Sequence, residues 1–89
     1  MMNVSLAKDK NMNPIYIMSA LRLFIYNREE YLNIYNIIDQ SKADITKPVL
    51  ITKQGRILKG WETLKYVLDS NQFTNLYYQV VEEPYDENL

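Results

Sequence analysis

Few kinds of residue in this chain can do chemistry. The 89 residues include no histidine and no cysteine. That excludes a histidine general base, a Ser-His-Asp triad, thiol chemistry and the usual zinc sites. Carboxylates, lysine, arginine, tyrosine and hydroxyls remain. The most suggestive spacing lies in "RILKGWETLK", residues 56–65. A glycine just ahead of a helix lets backbone N–H groups face an anion. Gly60 holds that position, Trp61 and Thr63 follow it, and Arg56, Lys59 and Lys65 bring positive charge. This is phosphate-binding chemistry, so no catalytic residue and no metal ligand is assigned. The same residues also fit a plain bend at Gly60 with Trp61 anchored over a sheet. Asn27 and Arg28 form a second candidate pair. Asn27 suits a helix cap or a ligand, and Arg28 suits a first-turn carboxylate partner or an arm into a cleft. A metal-dependent nuclease would have to bring Glu29, Glu30 and Glu62 together.

Charge is unevenly spread. The net charge is −1, so the chain as a whole does not attract nucleic acid. Residues 42–65 nevertheless hold six basic side chains (Lys42, Lys47, Lys53, Arg56, Lys59 and Lys65) against Asp44 and Glu62. Residues 66–89 hold five acidic side chains and no basic one. This pattern describes a solvated face with an acidic tail, or a basic surface turned toward an anion.

The elements that must position these groups follow from apolar spacing. Residues 1–13 read as a loose arm or a weak edge strand. "PIYIM" (14–18) is β-branched and aromatic, opened by a proline where a missing N–H is tolerated. "SALRLFIYN" (19–27) has no clean period and reads as a turn and a packed connection. Asn27 with Glu30 three residues on resembles a capping box. The apolar residues Tyr31, Leu32, Ile34, Tyr35, Ile37 and Ile38 predict a helix ending around Ser41 to Ala43. "KPVLIT" (47–52) and "RILKG" (56–60) read as a hairpin about "KQG", with Gly55 left-handed. Trp61, Leu64, Val67 and Leu68 share one face of a helix that Asn71 would stop. "NLYYQVVEE" (75–83) is a last strand. The expected class is α+β, a small mixed sheet covered on one side by two helices in the order β-α-β-β-α-β.

On these residues the chain resembles the ParB/sulfiredoxin-like family. "PVLITKQGRILKGWETLK" is similar to its core, in which a strand, a glycine turn and a second strand lead to Gly-Glu-Arg-Arg or Gly-x-x-Arg at a helix start. "YIMSALRLFIYNRE" resembles the first strand and the Asn-Pro-Arg-like segment, and "NLYYQVVEE" the closing strand. The resemblance spans about residues 14–83, with 1–13 as an arm and 84–89 as an acidic tail. It implies CTP or ATP handling at Gly60. The motif is degenerate: Trp61, Glu62 and Thr63 stand where Glu, Arg and Arg are expected, and Asn27-Arg28 lacks the intervening proline. Without the arginine forks, nucleotide binding is expected to be weak or absent. Sulfiredoxin chemistry needs a cysteine that this chain lacks.

The expected function is binding without turnover, in a stand-alone degenerate ParB-like module suited to a phage, plasmid or virus. One class of partner is nucleic acid or a nucleotide. The alternative is a host defence or replication protein, with the acidic tail as a DNA mimic or exposed tyrosines as the contact; a nuclease is the third. No resident cofactor is assigned. A homodimer is compatible with so small a core. No apolar run approaches the ~20 residues needed to cross a bilayer. "MMNVSLAKDKNMN" has no signal-peptide core. A cytoplasmic protein is therefore expected.

Overall fold

The computed structural model describes residues 7–8, 13–70 and 75–82. Its strands are β1 (Ala7–Lys8), β2 (Pro14–Ser19), β3 (Val49–Ile51), β4 (Ile57–Lys59) and β5 (Asn75–Val80). Its helices are α1 (Ala20–Tyr26), α2 (Arg28–Ile34) and α3 (Trp61–Asp69), with two 3-10 turns at Tyr35–Ile37 and Gln40–Lys42. The strands lie in the order β1-β2-β5-β3-β4. β5 runs antiparallel to β2 and parallel to β3, so the sheet is mixed and the domain is α+β. The two-residue β1 extends it at one edge, pairing Ala7 with Ile15 and Lys8 with Pro14.

Strand alternation divides the sheet into two faces. Val49, Ile51, Leu76 and Tyr78 point into the core, where they meet Ala20 and Leu23 of α1, Tyr31 of α2, and Leu64 and Val67 of α3. Three helices therefore cover one face, one more than the sequence predicts. Of the other parity, Ile17 and Tyr77 are exposed, while Ile15, Leu50 and Gln79 are half-buried. An aromatic group ties the helices together. The Tyr31 ring meets Phe24 edge-on at 5.3 Å, Tyr35 edge-on at 5.6 Å and Trp61 in a stack at 6.5 Å.

The hairpin matches its expectation. Gly55 takes a φ of 92°, its N–H donates to Thr52 O at 2.9 Å, and Thr52 N donates to Arg56 O at 2.9 Å. The buried Thr52 Oγ1 accepts from the N–H groups of Gln54 and Arg56, closing the turn from inside.

The segment 19–27 corrects the reading. It is the helix α1, with Ser19 Oγ accepting from Arg22 N at 3.1 Å as an N-cap. Its period is obscured because Leu21, Ile25 and Tyr26 are apolar yet exposed, while only Ala20 and Leu23 are buried. The long helix predicted to reach Ser41 to Ala43 also fails. It ends at Ile34, tightens into the first 3-10 turn and opens at Ile38. Asp39 then accepts from Ser41 N and starts the second 3-10 turn. β3 and β5 are shorter than expected. Asn71, Glu83 and the tail 84–89 lie outside the described residues.

The buried Tyr31 ring yields a test. Burial first, then the negative Asp69 and Tyr35, pushes its hydroxyl up to about 12 from 10.0. A pKa raised by folding stabilises fully below the unfolded value and is lost as pH climbs through the folded one. Roughly 2–3 kcal/mol should therefore vanish as pH rises from about 10 toward 12. Urea unfolding across that window should show the fall. Tyr31→Phe should reduce it, leaving the part due to Tyr35 and Tyr78, which are also raised, by the Asp69 hydrogen bond and by burial respectively.

Candidate anion-binding corner

The helix α3 starts at Gly60, whose φ is 114°. A side chain there would be strained, because only glycine enters the left-handed region cheaply. It would also strike β3: an added Cβ would lie 3.0–3.1 Å from Val49. Gly60 is thus required by the packing of the corner, whatever binds there. Trp61 is half-buried against Tyr31 and serves as the anchor of the first turn. Thr63 N and Leu64 N both reach Gly60 O, at 3.1 and 3.3 Å.

Around this corner lies a cleft of about 420 Å³ that includes Lys42, Lys47, Pro48, Leu50, Lys59 and Thr63 in its walls. The three lysines come from three segments: the second 3-10 turn, the loop before β3 and the end of β4. Asp44 and Glu62 share the cleft. Hydrogen bonds from the Thr46 hydroxyl and N–H hold the Asp44 carboxyl below the usual carboxylate range, so it is an anion at neutral pH. The lining thus carries three positive and two negative side chains.

The other predicted ligands are distributed differently. Thr63 is 6% exposed, and its hydroxyl exchanges long hydrogen bonds with Asp44 N and O at 3.3 and 3.4 Å. It ties the lysine-bearing loop to α3. Lys65 is 9% exposed. Its ammonium donates to Tyr35 O at 2.7 Å and Ile38 O at 3.0 Å, and sits 4.1 Å from the Tyr35 ring centroid. The expectation that Lys65 faces an anion is corrected: one turn into α3, its side chain enters the interior. Arg56 stands at the far end of β4, about 10 Å of strand from Lys59, and reaches Glu30 at 3.7 Å. Lys53, also at that end, reaches Glu82 at 3.8 Å. The basic stretch 42–65 is therefore three separate populations.

Asn27 is buried, and its cap reading is corrected. It precedes α2 but makes no side-chain cap there. Nδ2 donates to Leu23 O and Gly55 O, both at 2.9 Å, and Oδ1 accepts from Ile57 N at 2.8 Å. The amide clips the α1–α2 junction onto the hairpin, and both of its N–H donors are taken, leaving neither for a phosphate oxygen. Arg28 is exposed at the first position of α2 and is not in the wall of the corner cleft. Glu29 and Glu30 line a second cleft with Tyr26 and Arg56, apart from Glu62, so the three carboxylates do not form one cluster.

Sequence reasoning passed over Lys42 and Lys47 as site residues. The signal was the local charge excess, and only the fold separates these two from the rest. The chain matches no family model, no curated protein and no solved structure.

The interior ammonium and the buried amide should both behave as structural groups. Lys65→Ala leaves two inward carbonyls without their cationic donor and should cost about 2–4 kcal/mol in urea unfolding. Asn27→Ala should cost a similar ~2–4 kcal/mol by freeing two carbonyls and an amide at once. A loss under about 0.5 kcal/mol, the size of a surface effect, would contradict these assignments.

Proposed function

We propose that this chain is a non-catalytic binding module whose α3 corner receives a phosphate-bearing ligand, either a nucleotide or the backbone of a nucleic acid. One observation carries the reading: Lys42, Lys47 and Lys59, from separate segments, line one cleft with Gly60 at the amino end of α3. Thr63 N and Leu64 N are taken by Gly60 O, so the N–H groups that helix geometry turns outward here are those of Trp61 and Glu62, where the helix dipole adds positive potential. The resemblance of "PVLITKQGRILKGWETLK" to the ParB/sulfiredoxin-like core supports the same location. Asp44 and Glu62 temper the attraction. They favour contact with a few phosphates over the long electrostatic footprint of a duplex-coating protein.

A second reading has its own observation. Leu21 and Ile25 lie one turn apart on the outside of α1, exposed by 55% and 64%. Unpartnered aliphatic pairs of this kind fit a protein contact better than a solvated helix face. No helix of the described residues is long and apolar enough to cross a membrane.

The corner is tested by titrating ATP, CTP and DNA at low salt. Lys47→Glu with Lys59→Glu should weaken binding at least tenfold, since each charge-assisted contact contributes roughly 1.5–3 kcal/mol. Lys53→Glu, at the opposite end of the hairpin, should leave it unchanged. Equal losses in both variants would mean that bulk charge, not this corner, holds the ligand.

A further inference from the structure

The face of the sheet that no described helix covers runs into the lysine corner. Tyr77 and Ile17 are register partners on β5 and β2, exposed by 43% and 40% on the side away from the helices. On β3, Leu50 has the same parity, since Val49 and Ile51 point inward. Its register partner is Lys59. Leu50 and Lys59 both line the corner cleft, together with Lys47 and Pro48. The exposed surface therefore changes continuously from an aromatic and aliphatic field to a cationic rim. Register places Lys59 level with Gln79, two residues along β5 from Tyr77, so with strands ~4.8 Å apart the backbones of Tyr77 and Lys59 are about 12 Å apart.

We propose that this face docks single-stranded nucleic acid, with a base stacked on the Tyr77 ring and the adjoining phosphates held by Lys47 and Lys59. This rests on the corner being a phosphate site and names the ligand class that would use it. Three features select a single strand. Unstacked bases expose π-faces that an aromatic ring on a sheet can take up, whereas a duplex hides them. A broad sheet face does not enter the major groove as a helix or a two-stranded ribbon does. A net charge of −1 supplies no long-range field, so binding must come from a few local contacts. The lysine rim argues against a protein occupant, because lysine is depleted in protein interfaces.

A short fluorescein-labelled oligothymidylate, followed by anisotropy at low salt, tests this. The single strand should bind, and a duplex of the same length should bind at least tenfold more weakly. Tyr77→Thr keeps a strand-forming residue but removes the ring, and should weaken the single strand by roughly tenfold or more. Tyr77→Phe keeps the ring and should bind like the parent chain. The slope of log affinity against log salt should be about −1.4, as two phosphate contacts to a single strand require. Circular dichroism checks that both variants are folded. Unchanged affinity in folded Tyr77→Thr, equal binding of duplex and single strand, or a dimer that dissociates in Tyr77→Thr would each overturn the proposal. ATP separates it from the corner reading. ATP binding that survives Tyr77→Thr but is lost in Lys47→Glu with Lys59→Glu, alongside no oligonucleotide binding, defeats the platform and leaves the corner standing. Loss of ATP and oligonucleotide binding by the parent chain defeats both.

Discussion

The ammonium of Lys65 holds the segment by which the chain leaves α2. Buried carbonyls need donors, and a helix that stops early leaves several of them unpaired. Lys65 reaches from α3 to Tyr35 O, which also accepts from Ile38 N, and to Ile38 O, while lying against the Tyr35 ring. With those carbonyls satisfied, the backbone can tighten, open and turn again within a few residues. That irregular path carries Lys42 and Lys47 beside the start of α3. Extending α2 regularly to Ser41 would carry both lysines elsewhere. A cation used in the interior thus places two cations on the surface.

Asn27 and Gly60 divide the remaining work. The Asn27 amide joins the end of α1 to the turn at Gly55 and the start of β4. Gly60 lets the end of β4 pass directly over Val49 before α3 begins. The two act at opposite ends of one short strand. Together they fix where Lys59 emerges relative to Leu50. Thr63 completes the frame by tying α3 to Asp44 on the neighbouring loop.

These relations explain what was readable in the sequence. The hairpin was legible because Gly55 and the β-branched residues around it act locally. α3 was legible because Leu64 and Val67 recur at helical spacing on a buried face. α1 was not, since exposed Leu21 and Ile25 look the same in sequence as buried Leu23. The exit from α2 is bonded by Lys65, some thirty residues away, a contact that local propensity cannot register. Asn27 looked like a cap because a cap and a buried clip use the same amide. Lys65 looked like an anion ligand because a charge count does not distinguish inward from outward side chains. The glycine corner itself was found, although two of the three lysines around it were not singled out.

The sheet's borders limit how this molecule can associate. β4, at one border, has only three residues, shifts register against β3 between Leu50 and Ile51, and ends in Lys59. β1, at the other, pairs over only two residues. Short, irregular or charged borders are poor templates for an incoming strand. Copies of this chain therefore have little means of joining into a continuous ribbon through their backbones. Among the described residues, the surfaces left for assembly are the broad ones that point away from the core.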